Sequence, residues 1–214
     1  MISERIGNMI REQILGIGRF VASLGLSANM LTVVGLVLNG IVAIIIGAGH
    51  DVIGGFLLLV ASAFDMLDGA VARATGTTSR FGGFLDSTLD RYSEVIVYLG
   101  VLVLMLDTDD AKTGSILVFI SATGALLISY ARARAEAAGY TASVGLVARP
   151  ERVILLGLCL IIGQPLWALW ALAIATHLTA ATRILHVWRL SLREQATPVT
   201  AAAGASPQQN PDQP

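Results

Sequence analysis

The chain has 214 residues, of which 55% are hydrophobic and only 14% charged, and its mean hydropathy is +0.73. That balance excludes a soluble domain of this length and points to a polytopic membrane protein. With 14 basic and 15 acidic residues the net charge is -1, which removes the basic footprint of a nucleic-acid binder; the lone Cys159 rules out a disulfide framework within the chain.

Residues 1–26 lack the uninterrupted apolar core of a signal peptide, because Glu4, Arg5, Arg11, Glu12 and Arg19 break it. Ile2, Ile6, Met9, Ile10, Ile14, Ile17 and Val21 recur instead at steps of three and four, with Arg5, Asn8 and Arg11 on other faces. This spacing predicts an amphipathic helix, either lying in the membrane interface or packed on other protein. Ser27-Ala28-Asn29 then reads as a capping signal, followed by apolar segments at about 30–49, 52–74, 81–106, 114–139, 150–164 and 166–190. Set against the ~20 residues needed to cross hydrocarbon, they predict an all-α bundle of six transmembrane helices over residues 27–192. Gly163-Gln164-Pro165 cuts the fifth segment short, so a re-entrant unit over 150–190 is the alternative.

Thirteen arginines, from Arg5 to Arg193, fall on or toward one side of this arrangement and leave only Lys112 for the other. By the positive-inside rule that side is cytoplasmic, and an even number of spans puts both termini there. Residues 193–214 are mainly Pro, Ala, Gln, Ser and Thr, too poor in large apolar residues to bury a core; a disordered cytoplasmic tail is expected.

Four carboxylates stand at the ends of the second and third segments: Asp65 and Asp68 in Phe64-Asp65-Met66-Leu67-Asp68-Gly69, and Asp86 and Asp90 after Gly82. An ionised carboxylate at the centre of a membrane helix costs ~2.5–3.5 kcal/mol on insertion scales, so four together demand a cation or a water-filled cavity. At helical spacing Asp65, Asp68 and Ala72 share one face, and Gly82, Asp86 and Asp90 climb one face of the next helix. The short polar connection 74–80 predicts that these two helices are antiparallel neighbours with both acidic rows at the cytoplasmic end. An all-oxygen set of this kind suits Mg²⁺ or Mn²⁺ rather than zinc, and four carboxylates suffice for two ions clamping a phosphoryl centre. Gly69 and Gly82 either let a phosphate approach the backbone or simply pack helices closely, while Arg73 neutralises the acidic row or holds a phosphate.

A second polar cluster closes the fourth segment with Ser129-Tyr130-Ala131-Arg132-Ala133-Arg134-Ala135-Glu136 and opens the fifth with Arg149-Pro150-Glu151-Arg152, while Arg183 interrupts the sixth. Arginines converging on one cavity would bind an anion such as phosphate. Alternatively, Arg149 and Arg152 are topological anchors and Arg134 pairs with Glu136 or Glu151.

The run Asp65-x2-Asp68-Gly69-x2-Ala72-Arg73-x8-Gly82-x3-Asp86-x3-Asp90 resembles the full signature of the CDP-alcohol phosphotransferase family. The resemblance covers about 1–192 and implies a six-helix membrane bundle with an N-terminal interfacial helix, a homodimer, and a site open to the cytoplasm. It further implies that Asp65, Asp68, Asp86 and Asp90 bind two metal ions, that Asp90 is also the base, and that Asp68, Gly69, Ala72, Arg73, Ser79 and Gly82 contact the CDP moiety. Phe64–Gly69, Ala133-Arg134-Ala135-Glu136, Arg149-Pro150-Glu151-Arg152 and Arg183-x2-His186 are similar to the actinobacterial phosphatidylinositol phosphate synthase branch. That branch implies a plasma-membrane enzyme moving the phosphatidyl group of CDP-diacylglycerol, or of an archaeal CDP-lipid, to inositol 1-phosphate, whose phosphate would meet Ser129, Arg132, Arg152 and Arg183. Two departures bear on the acceptor: Arg132 replaces the usual lysine, and Ala148 stands where an acid is common.

Two rival readings remain at this level, the same transfer to glycerol 3-phosphate and a cation or proton transporter using the carboxylates as a relay. Glu94 extends the Asp86–Asp90 row, either shaping an acceptor pocket or pairing with Arg91. His50, His177 and His186 have no metal-ligand spacing, and Trp167, Trp170 and Trp188 suit interfacial anchoring.

Overall fold

A computed structural model describes residue 16, residues 19–23 and residues 25–196. Most of the amphipathic segment 1–26 and nearly all of the tail 193–214 lie outside the described residues. Six long helices follow in order: α1 (Ala28–Gly47), α2 (Asp51–Thr75), α3 (Arg80–Leu106), α4 (Ala111–Ala137), α5 (Arg149–Ile161) and α6 (Pro165–Ala196). Each begins or stops for a local reason. The Ser27 hydroxyl accepts the Met30 N–H at 3.3 Å to start α1, and the Ser79 hydroxyl accepts the Gly82 N–H at 2.9 Å to start α3. Pro150 fits the first turn of α5, where Glu151 accepts the Ala148 N–H at 2.9 Å. Gly163, with φ of 69°, and Pro165 end α5 and start α6.

By length and apolarity α1, α2, α4 and α6 are able to cross a membrane. α3 has 27 residues but carries Arg80, Asp86, Asp90, Arg91 and Glu94 between its start and its middle turn. α5 has only 13 residues, about 20 Å of helix at ~1.5 Å per residue, against a hydrocarbon core of ~30 Å.

α1 packs on both α2 and α3; α3 continues onto α4, α4 onto α6, and α5 bridges α2 and α6. Ile46, Leu58, Val101, Leu160, Leu169 and Leu172 form the fully buried centre. The sequence pattern suggests α2 and α3 as packed neighbours, but α1 is the helix that both lean on. The reason is steric and polar together: Gly35 gives α1 the room to lie against Asp65, and Gly100 brings α3 against the α1 backbone at Ala43. α2 and α3 are thereby held apart, and their carboxylates look into the gap.

On the other side of the bundle, the stretch 138–148 is pinned to α6. Thr179 accepts the N–H groups of Leu146 and Val147 at 3.2 and 3.3 Å, and the Tyr140 hydroxyl donates to Glu194 at 2.7 Å, a contact that raises the phenol above its ordinary pKa.

Candidate active site

Periodicity places the acids. Asp65 and Asp68 sit three residues apart on one face of α2, and Asp86 and Asp90 sit one turn apart on α3. Asp68 is buried; its Oδ2 accepts the Thr32 hydroxyl of α1 at 2.9 Å and its Oδ1 accepts the Gly69 N–H at 2.5 Å. Asp86 lines the same cleft as Asp68, and the Asn39 amide donates to the Gly35 carbonyl at 2.9 Å. Arg149, at the first position of α5, spans the remaining two: its Nη2 donates to Asp65 Oδ2 at 2.7 Å and its Nη1 lies 2.8 Å from Asp90 Oδ1. Arg91 adds a longer contact of 3.5 Å to Asp90.

Among the described residues no three of these carboxylates already close on one point as a finished ligand set. The donor chemistry nevertheless fits a hard divalent ion. Asp68 and Asp86 line the same cleft, and Asp65 and Asp90 already share a cation in the Arg149 guanidinium. The four acids are all oxygen donors, with no histidine or cysteine among them.

All six residues assigned to the nucleotide, Asp68, Gly69, Ala72, Arg73, Ser79 and Gly82, line one cleft of about 560 Å³ between α1, α2 and α3. A Cβ on Gly69 would meet the Arg73 guanidinium at 3.1 Å, and one on Gly82 would meet Ser79 Oγ at 3.0 Å and Asn29 Oδ1 at 3.2 Å. Both glycines therefore face polar cleft groups, Gly82 those of Ser79 and of Asn29 on α1. Asn29 and Thr32 complete the wall from α1. The sequence signal for them, polar residues opening an apolar span, reads equally well as a helix cap.

A larger cleft, about 1510 Å³, opens between α3 and α4 and contains Asp90, Arg91, Ser129, Tyr130 and Arg132. Gly83 and Asp86 line both clefts. Arg132 is half exposed and pairs with Glu136 one turn on, at 2.8 Å. Arg152 and Arg183 do not line this cleft. Arg152 is buried and held by Glu94 through two hydrogen bonds of 2.7 and 2.9 Å, while its Nη1 is buried without a partner. Glu94 thus pairs with Arg152, not with Arg91. Arg183, 8% exposed, donates from Nε to the Val144 carbonyl at 2.9 Å and from Nη1 to that of Ile128 at 2.6 Å. It lies within electrostatic reach of Arg132 and Arg152.

Two clefts that meet at Gly83 and Asp86 thus lie in an all-helical bundle of which α1, α2, α4 and α6 are long and apolar enough to cross a membrane. A family model for CDP-alcohol phosphatidyltransferases matches residues 26–194, and the chain belongs to that family, as an enzyme of phospholipid synthesis. It is 33% identical over 181 residues to the archaetidylinositol phosphate synthase of Pyrococcus horikoshii, covering 84% of this chain and 93% of that one. Over 199 residues it is 36% identical to the phosphatidylinositol phosphate synthase of Corynebacterium glutamicum, covering 88% and 90% of the two chains. Among solved structures, the Mycobacterium tuberculosis phosphatidylinositol phosphate synthase with CDP-DAG bound is similar at a TM-score of 0.77 and 30% identity, over 82% of this chain and 93% of that one. The same mycobacterial protein in complex with manganese and citrate gives 0.76 at 30% identity, over 82% and 88% of the chains.

Proposed function

We propose that this chain transfers the phosphatidyl group of CDP-diacylglycerol, or the corresponding group of an archaeal CDP-lipid, to inositol 1-phosphate, releasing CMP. The observation that carries this reading is the shared wall: Gly83 and Asp86 belong both to the cleft of the nucleotide residues and to the cleft of Asp90, Ser129 and Arg132. A donor in the first and an alcohol in the second would meet at the carboxylates. The acceptor oxygen attacks the lipid-bearing phosphorus, the bond from that phosphorus to the CMP oxygen breaks, and CMP leaves with the electron pair. Asp90, which lines the acceptor cleft, takes the hydroxyl proton. Asp65, Asp68, Asp86 and Asp90 would hold Mg²⁺ or Mn²⁺, two ions in this reading, which when bound offset the diphosphate charge and improve CMP as a leaving group. Arg73 and the open backbone at Gly69 and Gly82 receive the diphosphate and cytidine.

Ser129 and Arg132 meet the acceptor phosphate directly, with Arg152 and Arg183 behind them. The hydrogen bonds of Arg183 go to carbonyls, which satisfy its N–H groups without cancelling its charge, so its field reaches the cleft. All six helices are taken to cross the plasma membrane, α5 being the thinnest crossing, with both termini and the site on the cytoplasmic side and the chain paired as a homodimer.

The deciding experiment supplies radiolabelled CDP-diacylglycerol with inositol 1-phosphate, inositol or glycerol 3-phosphate and measures CMP and new lipid. Turnover with inositol 1-phosphate alone is expected; equal or faster turnover with glycerol 3-phosphate overturns the acceptor. Metal-dependent CMP release in detergent, without any gradient, separates this reading from a transporter.

A further inference from the structure

Arg149 is placed where a charge on the site has to be balanced. Its two terminal nitrogens reach across from α5 to Asp65 on α2 and Asp90 on α3, at 2.7 and 2.8 Å. These two helices lean on α1 rather than on each other, so the guanidinium fork links the acidic rows directly. The same pose has a defect: Arg149 Nε is buried and has no hydrogen-bond partner. Beside it lies a void of about 20 Å³, room for one water and no more, with Glu94 and Arg152 among mainly apolar walls. The side chain therefore has a reason to give up this pose.

We propose that Arg149 is an exchangeable counter-cation, holding Asp65 and Asp90 together while the site is free of metal and giving them up when a divalent ion is taken up. This rests on the reading above, in which those two carboxylates are metal donors. A divalent ion bonds oxygen at about 2.0–2.2 Å, and a guanidinium kept against the same two carboxylates would stand in contact with it, cation against cation. The ion must therefore compete with Arg149, and the affinity measured for metal is lowered by the fraction of protein in which Arg149 is in place. Arg149 is on this account a positioning residue: it keeps the acidic rows in register without metal and sets how readily metal enters.

The test is a titration of the purified full-length protein in detergent with Mn²⁺ alone, reading free Mn²⁺ by electron paramagnetic resonance, together with melting curves with and without Mn²⁺. Arg149→Gln is expected to bind Mn²⁺ about tenfold more tightly than the wild type, the scale of one lost charge-assisted contact, to melt earlier without metal, and to gain more from Mn²⁺. Arg149→Lys, which keeps a charge but not the fork, should fall between the two, and it decides the matter if the glutamine variant does not fold. Unchanged or weaker Mn²⁺ binding in the folded variants overturns the exchange and leaves the metal reading standing. Absence of Mn²⁺ binding by the wild type overturns the metal reading, and the exchange with it.

Discussion

Replacing Arg183 by alanine separates a cation that serves the acceptor from one that merely fastens helices. In the structure this arginine does a fastening job, with N–H groups on the carbonyls of Ile128 and Val144, 2.6 and 2.9 Å away, and 8% of its surface exposed. A hydrogen bond with a charged donor is worth ~1.5–3 kcal/mol, so losing both costs about 3–6 kcal/mol if the carbonyls are left dry, and less where water follows into the vacated space. The same change removes a positive charge from behind Ser129 and Arg132. If that charge helps hold the acceptor phosphate, the KM for inositol 1-phosphate rises roughly ten- to a hundredfold. The KM for CDP-diacylglycerol should barely move, because the bonds of Arg183 go to α4 and the stretch 138–148 and not to the nucleotide cleft. Steady-state rates with the acceptor varied at saturating donor, run beside melting curves in detergent, measure both effects. Arg183→Lys restores charge without the fork and should recover more of the KM than of the melting temperature. A variant that melts earlier yet keeps the wild-type acceptor KM would refute the reasoning and reduce Arg183 to a fastener.

Three further outcomes are expected. Asp90→Asn should fold and still bind nucleotide but lose about 10²–10⁴-fold in turnover, the range for a general base; a purified variant retaining a tenth of wild-type rate at saturating Mg²⁺ would remove Asp90 from that role. Exhaustive chelation should stop CMP release, with Mg²⁺ or Mn²⁺ restoring it, and turnover persisting in metal-free protein would refute metal dependence. Glu94→Gln leaves the buried Arg152 charge without its partner and should destabilise the fold by ~3–5 kcal/mol, whereas an apolar replacement of both residues should recover most of the loss; equal melting of the single variant and wild type would contradict the pairing.

The apolar runs and their punctuation carry the helices: Ser27 caps where the sequence places a cap, and Gly163-Gln164-Pro165 stops α5. Local signals also gather the six residues assigned to the nucleotide into one cleft, because they lie within one stretch of chain, Asp68 to Gly82, where helical spacing decides which of them share a face. Long-range pairings are a different matter. Arg149 meets Asp65 across 84 positions and Arg152 meets Glu94 across 58, and no spacing rule links residues so distant. Read locally, both arginines are positive charges at the mouth of a span, as topology alone would require. The splaying of α2 and α3 was equally hidden, since a short polar connection speaks for adjacency and the wedge that prevents it, α1, comes earlier in the chain.

Pairing also explains how a bundle this apolar divides its charges. Arg149 is matched by Asp65 and Asp90, Arg152 by Glu94, and Arg132 by Glu136. Beside the clefts two places carry an excess. Asp68 and Asp86 line one cleft, and the hydrogen bonds to Asp68 come from a hydroxyl and an N–H, neutral donors. At Arg183 a positive charge rests on carbonyls. In the function proposed above, a field built this way would draw a cation to the wall common to the two clefts and a phosphate toward Arg183, so that the acceptor phosphate would point away from the reacting centre. An alcohol whose hydroxyl and phosphate stand at opposite ends of one small molecule satisfies both excesses at once, whereas a neutral alcohol leaves Arg183 unanswered.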